Sequence, residues 1–179
     1  MTLILGIDPG LQRTGWGIII SNTNRLSFVD CGTIHTDAEL SIAERIKQLH
    51  DGLQAAIAKH KPDEAAVEET FVNKSGSSTL KLGQARGGLL LTLSLAGLPV
   101  YEYSANLVKK SVVGSGHADK KQVGMMVKVL LPASNAKQAD AADALAVAIC
   151  HAHHRNVIPA KAGIHSRIDS RLRGNDGGL

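Results

Sequence analysis

Residues 3–20 read LILGIDPGLQRTGWGIII, and their pattern decides the fold. An apolar run from Leu3 to Ile7 ends on a single carboxylate, Asp8. Pro9 and Gly10 do not continue a strand. Proline lacks the amide hydrogen that the ladder needs, and glycine turns the chain at little steric cost. A second apolar run, Gly15 to Ile20, follows at once, and its isoleucines favour extended backbone over helix. The stretch predicts a hairpin of two buried strands with an acid at the mouth of the turn. An Asp there either caps the turn through its own backbone or holds a metal ion at the end of a central strand.

Outward from the hairpin, Leu26 to Thr36 reads as a third strand, which makes an antiparallel meander. Residues 41–60 form the clearest helix: Ser41 and Glu44 make a capping box, and Ile42, Ile46, Leu49, Leu53 and Ile57 line one face. Pro62 ends it, and EAAVEET (64–70) reads as a fourth, central strand. A crossover through the helix predicts that this strand runs parallel to the first. A polar loop, FVNKSGSST (71–79), leads to a helix from about Ser78 to Ala96. Gly83 and Gly87 sit four apart on that helix, with Leu80 and Leu91 on the same side. Interior glycines cost a helix roughly 1 kcal/mol each against alanine, so a close backbone approach is expected there. The helix is either wholly buried or packs on both the sheet and a partner subunit. Pro99 to Tyr103 is a fifth strand, Ser104 caps a short helix to Val113, and Asp119 with Gln122 caps another to Leu131. The last helix begins at Asn135 to Gln138 and runs to about His153. His151, His153 and His154 fall at its C-terminus, where partial positive charge is favourable, a reading preferred to metal ligation.

A chain of 179 residues suits one domain with a proper core, placed at residues 1–155, and the remainder, 156–179, reads as a poorly ordered basic tail. Most of the formal charge of +4 sits after residue 150, since residues 151–179 carry five Lys/Arg against two acids. Bulk charge is therefore weak evidence, but between Thr70 and Lys110 there are five bases and one acid, a rim suited to a polyanion. No run is long enough to span a bilayer, and the N-terminus lacks a signal peptide's basic region. Cys31 and Cys150 have no paired spacing and read as reduced. A cytoplasmic protein with no membrane partner is expected.

Four acids stand out. Asp8 ends strand one, and either Glu68 or Glu69, but not both, points to its side of the neighbouring strand. Asp140 and Asp143 share a face near the start of the last helix, flanked by Ala139, Ala141, Ala142 and Ala144, whose small side chains let the helix lie close to the sheet. Converging carboxylates repel one another, and hard divalent cations relieve that repulsion. Two Mg²⁺ ions about 4 Å apart serve phosphodiester hydrolysis.

IDPG with TGWG, VEETF, LKLGQARG, VVGSGHADKKQV and QADAADALAVAI, in this order, resemble the RuvC family of Holliday-junction resolvases over residues 3–154. The resemblance implies a ribonuclease H-like α/β fold: a mixed five-stranded sheet, with a meander of strands 1-2-3 and parallel strands 4 and 5, flanked by helices. It implies a homodimeric endonuclease that cuts two opposed strands of a four-way DNA junction symmetrically, in recombination and repair. It also implies a need for Mg²⁺, two per active site with Mn²⁺ able to substitute, and partnership with the branch-migration proteins RuvA and RuvB. Carried onto this sequence, the acidic tetrad falls on Asp8, Glu68, Asp140 and Asp143, which selects Glu68 over Glu69. Phe71 matches an aromatic residue near the branch point, and Lys109 and Lys120 match lysines that touch DNA. Lys74, Lys81 and Arg86 in the basic stretch are further candidates for DNA contact. Two other functions compete. The DPGLQRTGWG loop also resembles the phosphate loop of actin-like ATPases and sugar kinases, which need a second similar domain that this length does not supply. A non-catalytic junction-binding module would not require four converging acids.

Overall fold

The computed structural model describes residues 1–23, 25–70, 76–136 and 138–155. Phe71, Lys74 and the segment 156–179 lie outside the described residues. The hairpin forms as its pattern predicts: β1 (Thr2–Asp8) pairs antiparallel with β2 (Arg13–Asn22), and β2 pairs antiparallel with β3 (Arg25–His35). The helix α1 (Ile42–His60) carries the chain across to β4 (Glu64–Glu68), which lies parallel to β1, and β5 (Val100–Tyr103) lies parallel to β4. The strand order is therefore β3-β2-β1-β4-β5, the mixed five-stranded sheet that was expected. The remaining helices are α2 (Gly76–Leu95), α3 (Ala105–Val113), α4 (Lys120–Leu130) and α5 (Ala139–His154).

The local signals act where they were read. Ser41 and Glu44 form a reciprocal capping box on α1, Asp119 and Gln122 form one on α4, and Ser104 caps α3. Lys61, in left-handed conformation at φ 50°, closes α1 just before Pro62. Gln138 stands at the cap position of α5 but makes no side-chain capping bond.

The sheet separates two apolar layers. Leu5, Ile7, Ile18 and Val67 face α1 and α2, whereas Ile4, Ile19 and Ala66 face α3, α4 and α5. The second layer positions the site. The strand positions beneath α5 are stripped of side chains at Gly6, Gly15 and Gly17. A Cβ on Gly6 would stand 2.2 Å from the carbonyl oxygen of Ala144, and one on Gly15 would stand 1.9 Å from that of Asp140. The helix answers with alanines 141, 144 and 148, each buried. Helix and sheet thus meet almost backbone to backbone.

The helix α2 differs from one of its two expected placements. Ala85, Leu89 and Leu93 are buried on the sheet, but Leu80, Leu91 and Leu95 are 59–71% exposed, so it is not a wholly buried helix. A Cβ on Gly83 or Gly87 would meet nothing within 4 Å, so the close approach expected there is not made within this chain. Gly88 is the glycine of this helix that packs tightly, against Ile46 of α1.

Candidate active site

Side-chain alternation makes Asp8 and Glu68 neighbours. The parallel register pairs Ile7 with Val67, so the next step on each strand brings the two carboxylates side by side on the α5 face. Glu69 turns away: it is exposed, and its amide donates to the carbonyl of Tyr103. Gly15 is the partner of Asp8 across the hairpin, and the first turn of α5 rests on it. That contact delivers Asp140 and Asp143 to the tip of β1. Asp8, Glu68 and Asp143 line one cleft of about 80 Å³, together with Lys109 of α3 and Lys120 of α4. Asp140, three residues before Asp143 on α5, does not line this cleft, and the guanidinium of Arg13 lies 3.8 Å from its carboxylate.

The electrostatics follow from this crowding. Burial pushes the Asp8 carboxyl up to about 7, and the charges of Glu68, Asp143 and Asp140 add to the rise while Lys120 opposes it. Glu68 is raised for the same reasons, burial first and Asp143 next, with Lys120 and Lys109 opposing. Lys120 donates to Asp143 at 2.9 Å, and that bond raises its own pKa. An acid whose folded-state pKa is raised above its unfolded value costs stability once ionised. The contribution of Asp8 to the stability of the metal-free protein should therefore fall as pH rises from about 4 through about 7 and level off above. Melting in EDTA at pH 4 and pH 8 checks the sign, because Asp8→Asn removes the group. The variant should gain on the wild type at pH 8 and lose that advantage near pH 4.

Among the described residues no three acidic, His or Cys side chains form a ready-made metal cage. The fit to a divalent cation lies in the donor chemistry. The lining acids offer only carboxylate oxygen, the donor hard cations prefer, and their mutual repulsion is what a cation would relieve.

The other candidate residues divide. Lys109 and Lys120 reach the cleft. Arg86 does not stand free: it is ion-paired with Glu102, and its Nε donates at 3.5 Å to the carbonyl of Glu68, which braces the strand end bearing that acid. Lys81 is exposed on α2. The sequence reading missed the polar group at the far end of α5. His151 is fully buried, bonded to the hydroxyl of Tyr103 at 2.7 Å and to the Glu64 carboxylate at 2.8 Å. Arg155 grips the same carboxylate through two nitrogens, at 2.7 and 3.1 Å. Burial lowers the His151 pKa, so this ring is a neutral bridge and not the helix-end cation the sequence suggested. The signal available was Glu64, an acid at the first position of a central strand.

Comparison with known proteins agrees with the geometry. The family described as crossover junction endodeoxyribonuclease RuvC matches residues 4–151. A protein of that name from Paramagnetospirillum magneticum is 66% identical over 152 residues, covering 85% of this chain and 92% of its own length. One from Rhodopseudomonas palustris is 61% identical over 152 residues, covering 85% and 87%. Among solved structures, Thermus thermophilus RuvC in complex with a Holliday junction substrate superposes with a TM-score of 0.81 at 30% identity, covering 88% of this chain and 96% of that one. The yeast mitochondrial resolvase Ydc2, at 14% identity and a TM-score of 0.62, shares the fold, covering 86% of this chain and 82% of that one. With its acids gathered where β1, β4 and α5 meet, the chain belongs to the RuvC family of crossover junction endodeoxyribonucleases.

Proposed function

We propose that this chain resolves four-way DNA junctions by hydrolysing one phosphodiester in each of two opposed strands. The observation that carries the reading is the cleft itself, where carboxylates from two strands and one helix face two lysines. Asp8, Glu68, Asp140 and Asp143 would hold two Mg²⁺ ions, with Mn²⁺ able to substitute, and bound metal would supply an activated water and neutralise charge on the leaving oxygen. Water adds to phosphorus in line, the bond to the 3′ oxygen breaks, and the products are a 3′ hydroxyl and a 5′ phosphate. Lys120, now tied to Asp143, and Lys109 stand where ammonium groups offset charge that builds on the phosphoryl oxygens. Phe71, Lys74 and Lys81 extend the DNA surface in this proposal, and RuvA and RuvB are the proposed partners. A synthetic four-way junction and a plain duplex, each with and without Mg²⁺, test the reading. Paired nicks should appear only on the junction with metal. Binding without nicking would favour a non-catalytic module.

The junction's two-fold symmetry calls for two active sites, and the open face of α2 is the proposed seam. Leu80, Gly83, Gly87, Leu91 and Leu95 make an exposed apolar ridge with two bare backbone positions, which suits close helix-to-helix packing. Leu91→Glu places a charge in that seam. The wild type should scatter light at twice the 18.9 kDa chain mass, and the variant at once that mass, with paired nicks replaced by single ones. A dimeric variant would move the interface elsewhere.

A further inference from the structure

A second hollow, of about 320 Å³, opens between α4 and the start of α5. It adjoins the acidic cleft, since Lys120 and Asp143 line both. Its walls are apolar at Met125, Val127 and Ala142, and Lys121 and Lys128 stand on its rim. The volume is that of a small-ligand pocket, too small for a duplex and large enough for one nucleoside unit. The hydroxyl of Ser134 is buried at its wall with no hydrogen-bond partner among the described residues. A buried hydroxyl left unpaired carries a desolvation penalty, so a ligand with a polar edge gains by reaching it.

We propose that this hollow receives one unstacked nucleobase of the strand being cut, next to the scissile phosphate. The inference rests on the nuclease reading and deepens it. The chemistry is complementary throughout. A base has apolar faces for Met125 and the alanine wall, and a polar edge for Ser134. The phosphates on either side of it are anions for Lys121 and Lys128. Continuity with the cleft supplies the location: Lys120 and Asp143 line both cavities, so a strand held in the cleft runs beside the hollow. An acidic peptide would satisfy the lysines but would leave the apolar walls and the buried hydroxyl unmet.

Gly124 makes the test clean. It lines the hollow from a half-buried position on α4, and a Cβ there meets nothing within 4 Å. Gly124→Leu therefore starts its side chain from open space at the hollow, and leucine is a better helix former than glycine. Wild type and variant are assayed with Mg²⁺ on an intact junction and on junctions carrying one abasic nucleotide at each position flanking the cut. One abasic position should slow the wild type about tenfold, the loss expected for one base contact. Gly124→Leu should be slowed about tenfold on the intact junction, should be indifferent to that abasic position, and should melt no lower than wild type. Ser134→Ala should flatten the base preference at the same position. If Gly124→Leu cuts at the wild-type rate, or if abasic losses are equal in the two proteins, the hollow holds no base and the proposal fails. A wild type that cuts no junction with Mg²⁺ would instead remove the nuclease reading, and this inference with it.

Discussion

Asp8→Asn should lower the cleavage rate by about 10²–10³-fold or more, while junction affinity stays within a few-fold of wild type. Asp8 is the most deeply placed acid of the site, on a central strand whose neighbours β2 and β4 are both bonded to it. Asparagine has the same shape but lacks the charge, so the fold loses nothing and gains relief from the repulsion of Glu68 and Asp143. Affinity is set mainly by ammonium groups meeting phosphates, and removing one carboxylate from an acidic cleft weakens none of them. A mobility shift with the intact junction in EDTA, followed by cleavage on adding Mg²⁺, separates the two effects. Cleavage by the variant near the wild-type rate would show that Asp8 is a turn residue and not a metal ligand.

The second large effect lies beneath the site. Gly15→Ala should destabilise the protein by about 3 kcal/mol, lowering the melting temperature by about 6–12 °C for a chain of this size. The added carbon would meet the carbonyl of Asp140 at 1.9 Å and its carbon at 2.4 Å. Those are backbone atoms, which cannot swing aside as a side chain would, so the first turn of α5 must retreat. Asp140 and Asp143 retreat with it. Cleavage should therefore drop even at temperatures where the variant is fully folded, whereas a merely less stable enzyme would recover its rate on cooling. Gly124→Ala is the matched control: with no atom within 4 Å of the added carbon, it should raise stability by up to about 1 kcal/mol. Equal melting temperatures for Gly15→Ala and wild type would mean that the helix is not seated on Gly15.

These contrasts show which parts of the structure local pattern could reveal. The hairpin, the capping boxes of α1 and α4 and the cap of α3 depend on residues within four positions of one another, and each formed where it was read. The parallel placement of β4 followed from the crossover rule, because the chain had to return through a helix. The choice between Glu68 and Glu69 needed the inter-strand register, which periodicity alone does not supply. Gly83 and Gly87 drew notice as helix glycines, yet the glycines that organise the site are Gly6, Gly15 and Gly17. They passed unread because glycine within an apolar strand has no local signature, and its purpose appears only when a helix from residue 139 onward is laid across it. The Lys120 bond to Asp143 and the Tyr103–His151–Glu64 bridge join residues 23 to 87 apart, beyond the reach of any window along the chain.

That bridge also constrains how the protein can change over evolutionary time. Glu64 and Glu68 are the two ends of one short strand; the first is tied to His151, and the second faces Asp143 on the same helix. Four residues of strand span ~13 Å, and the eight residues of helix from Asp143 to His151 span ~12 Å. The two rulers agree, so both ends can engage at once. Deleting a single residue between Asp143 and His151 would shorten the helix ruler by ~1.5 Å and rotate one end by ~100° relative to the other. Substitutions can accumulate in this stretch, but insertions and deletions there would have to come in matched pairs or cost the chain one of its two moorings.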